Sequence, residues 1–414
     1  MPSAGLRHNR DFVLLTFART TSKLGTQITG VALPLLVLAL TGSATDAGLV
    51  AFAEGAALVL VLLPAGLLAD RHDRRRIILL CDGGALLAVG AVAALAWTRG
   101  APVTMIAALA ALVAALGAAV QPAASAASRA VVPDGDLRAA TAFNETRNAA
   151  VNLAGPPLGG LLFGISPALP FIVDVVSYAA SMLAVAAVRA PLGRPRDEPD
   201  TSLARQSVAG LRFLWQRPAL RYVLVSGAVM NFVFSGVLLA VLVVPVRGGA
   251  SALSAGTTVA CVGLGAVVGS LFAARLTAVV PVGRLILAVT WSSCALIAAM
   301  AGTGNGLVLG ALAGACSLLI PAANIGMLTV LALLTPDELQ GRANAATGFF
   351  AMLAAPFGPA LAGVLIDRIP SAAVFLSFAA VVLLLALATT FGRAVTAMPD
   401  LRTPTRSPVP AGTP

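Results

Sequence analysis

Arg19, Lys23, Glu54, Asp82 and Asp174 are ionisable side chains that stand inside long apolar runs of the sequence. Charge in hydrocarbon is costly, so such groups face a partner or a water-filled cavity and are functional candidates by default. Arg19 and Lys23 are four residues apart and share one helical face. At about 1.5 Å of rise per residue, Lys23 lies about 16 Å, and Glu54 in the next run about 22 Å, from the same side of a membrane. A Lys23–Glu54 pair is therefore geometrically possible. A lone carboxyl in a low-dielectric cavity favours its neutral form, and a paired ammonium favours the carboxylate. Alternation between those forms at Glu54 would couple proton uptake to the exit of a second solute. The plainer alternative is a fixed ion pair that ties the first two helices together. Asp174 is a further candidate for coupling, although at about 7 Å into its run it can simply satisfy a helix N-terminus. Asp82 is expected to pair with a loop arginine.

Uncharged polar positions complete the set. Gln27, Asn231 and Asn324, with Asn148 and Asn152, can line a central cavity or bond a neighbouring helix. Phe232, Phe234, Phe349 and Phe350 can give such a cavity an apolar wall, or simply pack. The two histidines, His8 and His72, lie in charged terminal or loop segments, which leaves no histidine-based metal site and no Ser/His/Asp triad. Cys81, Cys261, Cys294 and Cys316 sit in or beside apolar runs without a CxxC pair, and read as small buried hydrophobes. No phosphate-binding Gly-x-x-x-x-Gly-Lys-Ser/Thr loop occurs, so direct use of ATP is not expected. Catalytic residues, metals and cofactors are all expected to be absent, and an enzyme is not the reading.

The elements that must hold these residues follow from composition. Of 414 residues, 58% are hydrophobic and 11% charged, against roughly 45–50% and about 25% in soluble domains. A span needs roughly 20 apolar residues. Twelve such runs can be drawn, at 12–40, 46–69, 77–97, 103–122, 142–164, 169–189, 219–246, 252–274, 283–301, 306–334, 343–365 and 370–391. The expected architecture is all-α, with twelve membrane helices in two sets of six. The first run is far longer than a signal-peptide core, which suits a retained helix.

The net charge of +10 is mostly a topology signal. With both termini on one side, 22 of the 27 Lys and Arg residues fall on that side and only Arg99, Arg247 and Arg368 on the other. The positive-inside rule then places both termini in the cytoplasm. Nucleic-acid binding is not implied. The expected division is a bundle over 1–190, a cytoplasmic linker over 191–218 with a basic amphipathic helix from about Thr201, a second bundle over 219–391, and a disordered tail over 392–414.

The halves also repeat. Gly155-Pro156-Pro157-Leu158-Gly159-Gly160 matches Gly358-Pro359-Ala360-Leu361-Ala362-Gly363 at a spacing of 203, as do Pro133-Asp134 with Pro336-Asp337 and Gly66 with Gly269. Parallel repeats of this kind suit a transporter with its site between the halves.

The loop after the second run reads Gly66-Leu67-Leu68-Ala69-Asp70-Arg71-His72-Asp73-Arg74-Arg75-Arg76. It resembles the signature loop of the major facilitator superfamily, with Asp73 in place of a second glycine. That resemblance implies a cytoplasmic latch using Gly66, Asp70, Arg71 and Arg75, with Gly66 allowing close helix approach. Taking Gly269 as the mate of Gly66, Ala273 stands where Asp70 would be, so the latch is expected in one half only.

The Gly155-Pro156 to Gly159-Gly160 element resembles the end of the antiporter motif of drug-exporting facilitators, although Ala142 and Val151 replace its upstream glycines. Residues 32–43, the signature loop and Gln121-Pro122-Ala123 ahead of Val132-Pro133 resemble the branch of macrolide-efflux proteins and siderophore exporters, over about residues 10–391. A basic residue common in the fourth span of proton-coupled exporters has no counterpart in 103–122.

What the resemblance implies is a monomeric secondary transporter of a bacterial inner membrane. It would export a small amphipathic compound against protons by alternating access. An importer or uniporter of the same fold is the alternative, and a non-transporting scaffold or sensor a remote one.

Overall fold

The computed structural model describes residues 8–98, 100, 102–192 and 212–391. The helices are α1 (Arg10–Thr41), α2 (Ala44–Arg71), α3 (Arg74–Thr98), α4 (Val103–Ala130), α5 (Leu137–Ile165), α6 (Leu169–Ala187), α7 (Pro218–Arg247), α8 (Ala252–Val279), α9 (Val282–Met300), α10 (Gly306–Leu318), α11 (Ile320–Leu334), α12 (Asp337–Leu353), α13 (Phe357–Arg368) and α14 (Ser371–Phe391). No strand occurs among the described residues. The expected tail over 392–414 and most of the expected linker helix lie outside them. The linker's described end, 212–216, is helical, with Leu214 buried beside Leu220 and Leu331 and Trp215 edge-on to Phe350.

Eleven stretches among the described residues are long and apolar enough to cross a membrane. The twelfth expected span is α5. It is 29 residues long, but its first half carries Arg138, Glu145 and Arg147, which depress its hydropathy. Two spans drawn as single helices are broken. Pro321 separates α10 from α11, and Pro356 precedes α13. Proline lacks an amide hydrogen and its ring clashes with the preceding turn, so each helix is interrupted there. In the other direction, α4 runs eight residues past its expected end and brings Arg129 onto its last turn.

Caps fix where the long helices turn. Asn9 accepts a bond from the Phe12 amide and starts α1, while Gly42 ends it in the left-handed region at φ 69°. Ser43 then caps α2 through the Asp46 amide, and Ser251 caps α8 in the same way through Ser254.

Within the first half α1 packs on α5 and α6, and α3 on α4 and α6. In the second half α7 packs on α13 and α14, and α8 on α10 and α11. Buried aliphatic and aromatic residues fill each half, around Phe171 and Tyr178 in one and Phe375 and Phe378 in the other, and a smaller cluster of Val31, Leu35, Leu242 and Ala255 bridges them. Large apolar side chains such as Leu60, Leu80 and Leu87 remain exposed, as expected for surfaces that meet lipid.

The halves meet through two pairs of helices, α5 with α8 and α2 with α13. A Cβ added to Gly256 would strike the Pro156 carbonyl oxygen, and one on Gly160 the Ala252 oxygen. Across the second pair, Gly48 meets the Pro359 oxygen and Gly363 the Ala44 oxygen. Absence of a side chain is what lets these backbones touch. All four contacts lie toward the end opposite the basic loops, hereafter the far end. At the basic end, Cβ atoms on Gly66, Gly341 and Gly348 would meet nothing within 4 Å. The halves are thus sealed at the far end and parted at the basic one. The close approach expected of Gly66 is not made in this arrangement.

These contacts correct one element of the repeat. The α5 and α13 prolines that face the glycines, Pro156 and Pro359, are 203 residues apart, but Gly48 and Gly256, like the helix starts Ala44 and Ala252, are 208 apart. The structural mate of Gly66 is therefore Ala274 rather than Gly269, and Asp70 corresponds to Ala278. The acid is still missing from the second half.

Candidate functional site

Between the halves lies a cavity of about 280 Å³ bounded by α1, α2, α5, α7, α8 and α13. Its wall is mostly aliphatic, with Val31, Leu238, Leu242 and Val259, and its polar side chains are Gln27, Glu54 and Ser235. Glu54 is the one ionisable residue lining it, and no hydrogen bond or ion pair joins Glu54 to any described residue.

Ser235 and Leu238 also line a second cavity of about 260 Å³, which includes Asn231 and Phe234. Those two in turn line a third, of about 260 Å³, with Asn324, Met230 and Met327. The three are largely apolar and follow one another along α7. Asn231 spends its amide on the Gly227 carbonyl at 2.9 Å, which leaves its oxygen free to face the cavity. The structure thus places Gln27, Glu54, Asn231 and Asn324 in one series of neighbouring cavities that share wall residues of α7, together with Ser235, which the sequence did not single out. Phe234 lines it as well, whereas Phe232 packs on Phe378 and Phe350 on Trp215.

A separate cavity of about 340 Å³ opens in the first half at the basic end. Lys23 and Arg19 face this one, along with Arg129, Arg147, Glu145 and Asn148. Lys23 and Glu54 therefore line different cavities, and the pair that their matched depths allow is not formed here. Depth along a helix follows from residue count, but the direction a side chain faces depends on how each helix is rotated in the bundle. Arg19 donates instead to Gln121 Oε1 at 3.0 Å.

Asp174 is fully buried between α1 and α6 and lines none of these cavities. It accepts from Thr29 Oγ1 at 2.7 Å and Ser177 Oγ at 3.0 Å, and Gly25 makes room for its carboxyl. Asp82 pairs with no arginine among the described residues; Ser181 Oγ donates to it at 2.7 Å.

In the signature loop the side chain of Asp70 lies outside what is described. Asp73, the departure from the family pattern, accepts from the amides of Arg75 at 2.8 Å and Arg76 at 3.4 Å, and so acts as the cap that starts α3. Arg75 donates to the Ala186 carbonyl at the end of α6, where the helix dipole favours cations, and Arg74 to the Leu192 carbonyl at 2.9 Å in the chain that follows. The loop is thereby tied to its own half.

In the antiporter-like element Gly155 packs on Gln27, Gly159 on Ile28 and Gly160 on Ala252, which seats α5 tightly between α1 and α8.

At the far end a further group joins the halves. Arg247 and Asp367 form an ion pair at 2.5 Å. Arg247 also donates to the Gly42 carbonyl at 2.9 Å, and Asp367 accepts from the amides of Ala44 and Thr45 at 3.1 and 2.7 Å. The carboxylate therefore caps the start of α2 from across the interface. Asp367 falls between the apolar runs 343–365 and 370–391, and the signal for it in the sequence is Arg247, one of only three basic residues on its side.

Two helical halves that touch at one end, part at the other and enclose a cavity with a lone carboxyl define a membrane transporter. The chain belongs to the Major Facilitator Superfamily, whose profile matches residues 15–320. Over 405 residues it is 32% identical to the multidrug efflux pump Tap of Mycolicibacterium fortuitum, covering 92% of this chain and 95% of that protein. With the enterobactin exporter EntS of Citrobacter koseri it shares 27% identity over 351 residues, or 82% of this chain and 81% of EntS. In fold it resembles the crystal structure of the nucleoside transporter NupG, with a TM-score of 0.74 at 12% identity over 94% of this chain and all of NupG's. The expected kinship with efflux proteins and siderophore exporters is borne out by these relatives.

Proposed function

We propose that the protein is a proton-coupled exporter of small amphipathic compounds, working by alternating access in a bacterial inner membrane with both termini in the cytoplasm. One observation carries the coupling: Glu54 is the single ionisable group in a mostly aliphatic cavity between the halves. A carboxyl there exchanges a proton with whichever side the cavity faces, and its charge differs between the two openings. The names of Tap and EntS support export as the direction. The arginine asymmetry supports the orientation, which makes the parted end the cytoplasmic one. On this reading one monomer suffices, and residues 1–190 and 219–391 rock against each other around the cavity while the Gly66, Asp70, Arg71 and Arg75 loop latches the cytoplasmic end as it closes.

The test is uptake of a fluorescent amphipathic dye into everted vesicles under an imposed pH gradient, with wild type and Glu54→Gln. Gradient-driven uptake by the wild type, reduced at least tenfold in Glu54→Gln while dye binding persists, is the expected result. Equal gradient dependence in both would remove Glu54 from the coupling. Uptake only when the gradient is reversed would favour an importer.

A further inference from the structure

The cavity at the basic end holds a concentration of charge that the coupling scheme leaves unused. Arg19, Lys23, Arg129 and Arg147 line one space of about 340 Å³, and Glu145 is the one acid in its wall. No ion pair joins any of the four cations to a carboxylate of the described residues within 4.0 Å.

Their remaining partners are weak. Arg147 reaches the Thr16 carbonyl at 3.5 Å and Asn148 Oδ1 at 3.1 Å, and its Nε is buried without an acceptor. Arg19 has the neutral oxygen of Gln121. Cations gathered around one cavity are stabilised by a counter-charge, and a guanidinium offers donors in a fork that fits an oxyanion. Ser125, Ser128 and Asn144 add uncharged donors to the same wall.

We propose that this cavity binds an oxyanion, and that its occupant is the carboxylate or similar anionic group of the exported compound. The inference rests on the transport reading above and narrows it to amphipathic organic anions. Position supports the assignment. Lys23 lies one helical turn from Gln27 on the same face of α1, and Gln27 lines the central cavity with Glu54. An anion held by Lys23 and Arg147 therefore has its apolar body directed along α1 toward the aliphatic cavity series.

The experiment measures fluorescence binding of a dansyl-labelled undecanoate and of its neutral amide to the full chain in phosphatidylcholine nanodiscs. The carboxylate is expected to bind at least about tenfold more tightly than the amide, a difference of about 1.4 kcal/mol. Lys23→Gln with Arg147→Gln should reduce that ratio below threefold. Glu145→Gln should raise it, a gain that misfolding does not mimic. Equal binding of the two probes, or a ratio unchanged in the double variant, overturns the proposal. Persistence of the preference when phosphatidylglycerol replaces about a fifth of the lipid supports the cargo assignment, and its loss there overturns that assignment in favour of a lipid headgroup. The ratio needs no proton gradient. Charge-blind binding with pH-driven efflux intact strikes this inference alone, whereas an intact ratio without efflux supports it and strikes the transport reading.

Discussion

Glu54 and Asp174 are both carboxyls within membrane helices, and their surroundings assign them different work. Glu54 faces a cavity with no bonded partner among the described residues, so its oxygens are open to whatever enters that cavity. Asp174 is buried between helices and accepts from Thr29 and Ser177, so its oxygens are occupied by the fold. Asn at position 174 keeps the shape and one strong acceptor. Asp174→Asn is therefore expected to retain gradient-driven transport within about twofold, and Asp174→Leu, which takes the acceptor from the Thr29 hydroxyl and leaves Ser177 only the backbone carbonyl of residue 174, to lower thermal stability by about 1–3 kcal/mol. Dye transport and a melting curve on the same preparations check both. A tenfold loss of coupling in Asp174→Asn would move it into the mechanism. Counting residues gives each of these charges a depth along its helix. It does not show which way each one faces, because rise per residue is fixed while helix rotation is set by packing, and so Lys23 and Glu54 appear as partners.

At the scale of elements, the Gly-Pro segments were legible as close-packing sites, and each lies at a contact between the halves. Their partners on α2 and α8 were not. Those helices carry an offset of 208 rather than 203, because the two halves have connections of different length, and the Gly66–Gly269 match at 203 is a coincidence of composition. The breaks at Pro321 and Pro356 were likewise hidden, since proline is common within unbroken membrane helices: α1 passes through Pro34, and α2 through Pro64.

The packing gives a direct prediction. A methyl group on Gly256 has the Pro156 carbonyl in its way, whereas one on Gly164, a turn beyond Gly160 on α5, meets open space. Gly256→Ala is expected to cost about 1–3 kcal/mol through forced separation of α5 and α8. Gly164→Ala should cost nothing and gain slightly from helix propensity. Thermal unfolding of the two variants side by side is the measurement, and equal midpoints would show that the interface yields without cost.

For the whole molecule, the seal at the far end sets which opening is populated. Glycine contacts bring the backbones together, and the Arg247–Asp367 pair, with the Asp367 cap on α2, holds them. Alternating access requires this group to part whenever the far end opens, so its strength is a term in the equilibrium between the two openings. The pair is partly exposed, with side chains 35% and 21% accessible, which limits its own contribution to about 1 kcal/mol. Loss of the two amide bonds at the start of α2 adds to that.

Asp367→Asn removes the charge while keeping the shape, and should shift the population toward the far-end-open form about fivefold or more. A single cysteine at Ala51, in the central cavity, reports the shift on a background where the four native cysteines are alanine. A membrane-impermeant maleimide applied from the far side should label it about fivefold faster in Asp367→Asn than in the parent, and labelling from the basic side should slow. If both rates stay unchanged, the glycine contacts alone hold the seal and the ion pair is incidental to it. If labelling quickens from both sides, the substitution has loosened the bundle rather than rebalanced it. Only opposite changes at the two faces are what a gate between two halves of one transporter requires.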